Sequence, residues 1–359
     1  MTDPLGPRDA LAVMAPFRAS DWPALAAAAA RLDSVSWGRV FAAFAAAALA
    51  PRSAERLADL RAQAARLPDL ARYGFNLAID GTDPQSLPGL ARMLDCRATY
   101  AAHDAFVLEY PKCGRTWLRL MIGRAVALAT GLDLADPTDL GRLASLRPGL
   151  PRILVTHDDD PELKRVEDIW RDKTIYRGRR VLLQIRDPRD VVVSYFFHRT
   201  TRNHEAAPVA PYQGTMATFA RHPQGGIPNI VAFYNAWAAG RDEPAALLRL
   251  DYEDLVADPA AGLAAALAFL ELPSPGPDGI RAVVEDSSFA RMQALEAAGT
   301  VPGRRLTLVD PSNPEARKVR RGKVGGYRDY LAADDIAWIE DYLARHLDPW
   351  YDRYRPAGG

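Results

Sequence analysis

The chain has 359 residues, 48% apolar and 25% charged, with 45 basic and 45 acidic side chains and zero formal net charge. That is the balance of a globular protein with a sizeable core, and it argues against broad nucleic-acid binding, which needs a basic excess. At ~150 residues per domain, the length allows one large domain or two smaller ones.

The longest apolar run, Val40–Ala50, is far short of the ~20 residues that span a bilayer. The opening MTDPLGPRDA lacks a cationic start before an apolar core, so no secretory signal is visible. Two cysteines, Cys96 and Cys113, are too few for a disulfide framework. A cytoplasmic protein with no transmembrane segment is expected.

Residues 1–100 read as a helical N-terminal extension. Ala24–Arg31, Trp37–Ala50 and Ala54–Leu67 are rich in good helix formers. Ser20-Asp21 and Ser53 supply start signals. No catalytic cluster lies there. Residues 101–359 read as an α/β domain. Runs rich in Val, Leu and Ile predict strands at Ala105–Tyr110, Ile153–His157, Val181–Ile185 and Leu247–Leu250. Helices are predicted at Thr116–Thr130, Pro188–Arg199, Ile227–Ala239, Pro259–Leu270 and Ala333–His346. This alternation implies a parallel sheet flanked by helices, with ligands at the carboxyl ends of the strands. Pro208–Gly226 is polar and carries Pro and Gly, the composition of a long surface loop or lid.

Tyr110-Pro111-Lys112-Cys113-Gly114-Arg115-Thr116-Trp117 follows the first strand and opens a helix. A helix N-terminus offers free N–H groups and partial positive charge. Gly114 allows close backbone approach, Lys112 and Arg115 add charge, and Thr116 adds a hydroxyl. Together they suit phosphate or sulfate. The lysine precedes the glycine, so the order is not that of a Walker A loop. Cys113 and Arg119 have the spacing of a cysteine-dependent phosphatase loop, but Trp117 and Leu118 should already be helical and no His precedes the cysteine. The segment resembles the phosphosulfate-binding loop of sulfotransferases, approximately Tyr-Pro-Lys-Ser-Gly-Thr-Thr-Trp. Cys113 and Arg115 stand where that family usually has Ser and Thr. The resemblance implies a P-loop-type fold, a donor, 3′-phosphoadenosine 5′-phosphosulfate (PAPS), and donor contacts from residues 112–117. By it, Cys113 is a small loop residue and not a nucleophile.

In Arg186-Asp187-Pro188-Arg189-Asp190, Asp187 suits an N-cap and Pro188 a first helical position. Ser194 lies about two turns further on, on the same helix face. The segment is similar to the family's 3′-phosphate motif, which implies that Arg186 and Ser194 bind that phosphate. Arg320-Arg321-Gly322 opens a basic, glycine-bearing stretch preceded by Arg317 and Lys318. It resembles the family's Arg-Lys-Gly signature, which adds Arg320, Arg321 and Gly322 to the 3′-phosphate. Gly326 and Tyr327 depart from the end of that signature. Ser287-Ser288-Phe289 resembles the family's Thr-Ser-Phe, which implies that Phe289 packs with Trp117 around adenine. Tyr252-Glu253-Asp254-Leu255 also matches a family segment, read as structural. Only 5 of the 45 basic residues are lysines, and Lys112, Lys318 and Lys323 fall in or beside these motifs.

His157 ends the second strand, and its context resembles that of the family's catalytic base. His198 and His204 are the other candidate bases. Asp158, Asp159 and Asp160 replace the family's apolar residue and Pro, and would raise the histidine's basicity or bind a cationic or sugar acceptor. The resemblance implies in-line sulfuryl transfer to a hydroxyl or amine. The acceptor would be a small molecule, a glycan or a lipid. His157 would take the proton and Lys112 would stabilise the leaving oxygens. No zinc or calcium spacing is visible, so no metal is expected. Tyr195, Phe196, Phe197, His198, Phe233, Tyr234 and Trp237 are candidates for the acceptor wall. The family's dimer motif would need Thr, Val and Glu where Ala332, Ala333 and Ala337 stand. A non-catalytic nucleotide-binding module is the remaining alternative.

Overall fold

The structure, a computed structural model, describes residues 12–13, 15–16, 21–33, 35–49, 100, 102–202, 211–301, 306, 308 and 310–356. The chain divides into two compact units, Met1–His103 and Asp104–Gly359. In the first, α1 spans Trp22–Ala29 and α2 spans Val35–Leu49. The Asp21 side chain accepts from Ala24 N at 3.0 Å, and Pro23 sits in the first turn of α1. Leu25, Phe41 and Phe44 are buried, and Trp22 meets Phe44 edge to face. The predicted helix Ala54–Leu67 lies outside the described residues.

In the second unit four parallel strands stand in the order β2-β1-β3-β4. They are β1 Ala105–Glu109, β2 Ile153–Thr156, β3 Arg180–Ile185 and β4 Ala246–Asp251, each within one residue of the predicted ends. Ala105 is registered with Ile153 on one side and Arg180 on the other. The central strand β1 is buried along its whole length, because helices cover both faces of a parallel sheet. The helices are α3 Arg115–Thr130, α4 Pro188–Thr201, α5 Met216–Ala220, α6 Ile227–Ala239, α7 Tyr252–Ala257, α8 Pro259–Phe269, α9 Gly276–Asp286, α10 Phe289–Ala298 and α11 Ala333–His346. Leu118, Met121, Ile122 and Val126 on α3 join Leu182, Leu267 and Val283 in one core. Burying each such side chain contributes roughly 1.5–3 kcal/mol.

The chain leaves β1 toward β2 and leaves β3 toward β4. Those directions are opposite, so a crevice opens at the carboxyl ends between β1 and β3. In the described part of the expected loop, 211–226, one short helix interrupts coil and turn. There Thr215 caps α5, and Phe219 is buried against Tyr195, Phe196 and Tyr212. The aromatic residues that a polar average conceals tie this segment to α4. Among the described residues no helix is long and apolar enough to cross a membrane.

Candidate functional site

A cleft of about 1250 Å³ opens over the carboxyl ends of the strands. Its floor is the loop between β1 and α3. Gly114 caps α3 with a φ of 105°, a conformation that L side chains rarely adopt. A Cβ there would lie 2.7 Å from the Tyr252 ring, so glycine is required twice over. The Arg115 amide donates to Glu109 Oε2 at 2.8 Å. Lys112, Arg115, Thr116 and Trp117 all line the cleft. Burial, together with the cations Arg202 and Arg320, pulls Lys112 down to about 8.

Cys113 does not join them. Its side chain is fully buried, with Sγ 3.7 Å from the Tyr234 hydroxyl, and burial pushes the thiol well up. Arg119 is 7% exposed and also turns away from the cleft. Cys113 as a donor-binding side chain, and the Cys113–Arg119 phosphatase pair, are therefore corrected: the Cys113 side chain turns from the loop into the core before the helix begins, and the helix that starts at Arg115 carries Arg119 away from the cleft.

Arg186, at the end of β3, ties the three motifs together. Its guanidinium stacks on the Tyr252 ring, 4.5 Å from the centroid. It donates to Lys112 O at 3.4 Å and to Lys323 O at 3.2 Å. Its Nε is buried without a hydrogen-bond partner. Asp187 accepts from Arg189 N at 2.9 Å, as a cap should. Asp190, one helical turn beyond Arg186, accepts from Gly325 N and Tyr327 N, both at 2.9 Å, and so anchors the basic loop. Buried Glu296 holds the start of that loop by accepting from Val319 N at 3.0 Å and from Arg202 at 3.2 Å. Arg320 and Arg321 reach the cleft and pair with Glu315 and with Asp329, respectively. Gly322 has a φ of 63°, and a Cβ there would lie 2.7 Å from the Phe289 ring. Phe289 is 40% exposed, and Trp117 is fixed by its indole N–H donating to Ser287 O at 2.8 Å. Both rings face the cleft.

Sequence reasoning missed several of these residues. Tyr252 was read as structural, yet it forms the wall under Arg186 and beside Gly114. Arg202, the residue that caps the end of α4, lines the cleft with Ser194 and His198 at i, i+4 and i+8 spacing, and that spacing is the signal that could have found it. Lys318 also lines it, and burial beside Lys112 pulls it to about 7.

His157 follows β2. Its Nδ1–H donates to Glu109 O at 3.2 Å, which leaves Nε2 as acceptor for Arg115 Nη2 at 2.5 Å. Burial and the adjacent Arg115 hold the imidazole well below its ordinary value, so it is neutral at pH 7. Burial outweighs the attraction of Arg115 and pushes Glu109 up to about 7. The acidic run does not raise the histidine's basicity, as one sequence reading expected. Asp158 is buried and bonded to Lys173, Tyr176 and Trp237, and Asp159 pairs with Lys164. His198 lines the cleft and is pulled down to about 3 by burial and by Lys112. His204 lies outside the described residues. Of the expected acceptor wall, Tyr195 faces the cleft, whereas Phe233, Tyr234 and Trp237 are core.

The family model described as Sulfotransferase domain matches residues 102–350. The chain is 24% identical over 256 residues to cytosolic sulfotransferase 17 of Arabidopsis thaliana, covering 67% of this chain and 73% of that protein. It is 24% identical over 283 residues to flavonol 3-sulfotransferase of Flaveria bidentis, covering 71% and 86%. The crystal structure of mouse sulfotransferase SULT7A1 complexed with PAP matches 68% of this chain and 84% of that one, with 19% identity and a TM-score of 0.46.

Proposed function

The chain belongs to the sulfotransferase family, and we propose that it moves the sulfuryl group of PAPS to a hydroxyl or amine of a small-molecule, glycan or lipid acceptor. The observation that carries this reading is Arg186, a residue of the cleft wall that bonds the backbone of the first and third motifs while its buried Nε has no hydrogen-bond partner. A buried guanidinium N–H without a partner fits an incoming anion.

In this reading Arg186, Ser194, Arg320, Arg321 and Gly322 hold the 3′-phosphate. Arg320 and Arg321 then exchange their present carboxylate partners for phosphate oxygens. Lys112, Gly114, Arg115, Thr116 and the first amides of α3 hold the phosphosulfate. Trp117 and Phe289 flank the adenine. The donor supplies an activated sulfur; the acceptor oxygen or nitrogen bonds to it as the bond to the bridging oxygen breaks. Adenosine 3′,5′-bisphosphate (PAP) leaves with Lys112 against its developing charge. Neutral His157 takes the acceptor proton at Nε2, once Arg115 has turned from that atom to the incoming anion. Likeness to a cytosolic sulfotransferase of Arabidopsis and the free thiol of Cys113 support a cytoplasmic enzyme.

Calorimetric titration with PAP, followed by incubation of radiolabelled donor with cell extracts, tests the reading. PAP binding and a labelled product are expected. Absence of PAP binding overturns it, and binding without transfer to any extract reduces the protein to a nucleotide-binding module.

A further inference from the structure

The sheet order sorts the cleft from end to end. Arg186 follows β3 and Tyr252 follows β4, so the proposed 3′-phosphate end lies over one half of the sheet. His157 follows β2 at the opposite edge, and the loop after β1 stands between them. The acceptor must therefore enter over β2. A carboxylate that the transfer chemistry leaves unused stands there.

Glu162 is delivered by an unusual piece of backbone. Asp158, Asp159 and Asp160 have φ of 60°, 69° and 49°, three consecutive left-handed residues without a glycine. Aspartate tolerates that region better than most residues, but as single positions and not as a run. The turn is held from several sides. Asp158 accepts from Lys173 at 2.6 Å, Trp237 at 2.9 Å and Tyr176 at 2.5 Å. Gln224 donates to Leu163 O, and Asn229 to Lys164 O at 2.8 Å. What this bracing places in the cleft is Glu162, 8% exposed, with an Oε2 that has no hydrogen-bond partner. Buried polar atoms are seldom left so. Strained backbone maintained by such a network points to function.

We propose that Glu162 binds a protonated amine on the acceptor, so that the acceptor is an amine-bearing alcohol or phenol. The inference rests on the sulfotransferase reading of the cleft and narrows its acceptor to one class. The charged groups that act on Glu162 are Asp160 on its own segment, Glu109 at the end of β1 and Arg115 at the start of α3. Arg115 is already engaged by Glu109 and His157, so among the described residues Glu162 has no dedicated cation. Burial and Asp160 push its carboxyl up to about 8, and it is mostly protonated at neutral pH when the site is empty. An ammonium supplies both the missing donor and the charge that lets the carboxyl ionise. The Glu162 proton then leaves to solvent as the ion pair forms. A neutral hydroxyl would supply only the donor.

PAP is first titrated into the protein; failure there counts against the family reading and not against Glu162. The PAP-loaded protein is then titrated with tyramine and with 4-ethylphenol, two phenols that differ in the ammonium. We expect tyramine to bind at least tenfold tighter and to release protons, read by repeating the titration in buffers of different ionisation enthalpy. In Glu162→Gln both the preference and the proton release should vanish, with PAP and 4-ethylphenol affinities unchanged. Glu162→Asp should keep part of the preference. Equal binding of the two phenols by the wild type, binding of neither, or a preference that survives in Glu162→Gln overturns the proposal.

Discussion

The two ends of the cleft are built on different principles. At the end over β3 and β4, the arginines already have partners. Arg186 bonds two backbone carbonyls, Arg320 and Arg321 hold Glu315 and Asp329, and Asp190 and Glu296 clamp the basic loop at both ends. At the end over β2 burial works against charge. His157 is pulled down by burial, while Glu109 and Glu162 are pushed up to about 7 and about 8. The first end is preorganised for one fixed, highly charged ligand by exchange of partners. The second keeps its charge latent until a ligand supplies the complement. A donor common to a family can be met by the first design; a particular acceptor calls for the second.

Substitutions separate the two ends. His157→Ala should lower turnover by about 10²–10⁴-fold, the ordinary range for a lost general base. PAP affinity, measured by calorimetry, should not change, because His157 stands at the other end. Lys112→Ala should lower turnover by about 10²–10³-fold, as for loss of one transition-state donor, with a smaller loss of PAP affinity. Arg186→Ala should weaken PAP about 10- to 100-fold, since each hydrogen bond to a charged group contributes about 1.5–3 kcal/mol. Arg115→Thr restores the residue usual in the family and removes the cation from His157 Nε2. With that repulsion gone, the imidazole rises toward its ordinary value although burial still depresses it. The acid limb of the turnover profile, which requires neutral imidazole, should then move to higher pH. A limb that stays put would place the titration on another group.

The contrast also explains what the sequence could tell. Strand runs and helix periods located all four strands of the sheet and α3, α4, α6, α8 and α11, since packing on a covered sheet follows hydrophobic pattern. The proposed donor end could be sketched from sequence because its residues sit at fixed offsets from strand ends and helix caps, as Asp187 and Pro188 show. The proposed acceptor end could not. Nothing in Asp158-Asp159-Asp160 announces a left-handed turn, and the charges that suggested a cation site are consumed by Lys173, Tyr176 and Lys164. Glu162 carries no motif; its role follows from an oxygen left unpaired by the tertiary fold. Cys113 failed for the opposite reason: spacing to Arg119 was right, but the loop turns the thiol into the core and the helix carries Arg119 away from the cleft.

Proton linkage offers the subtlest test of the paired end. Lys112 lies at about 8 and Lys318 at about 7 in the free protein, each lowered first by burial. Near pH 8 both are therefore partly unprotonated. A bound polyanion favours their charged forms and raises both values, so PAP must bind with net uptake of protons. Glu109, ionised above about 7, shifts the same way when an anion arrives. By linkage, affinity for PAP should fall as pH rises from 7 to 9, by up to about tenfold per unit for each whole proton taken up. Calorimetry in two buffers at pH 8 reads the uptake directly. In Lys112→Met the uptake should shrink to the part carried by Lys318 and Glu109. Proton release at pH 8, or none, would mean that these lysines are already fully charged before the ligand enters, and that the cleft is preorganised in charge as well as in geometry.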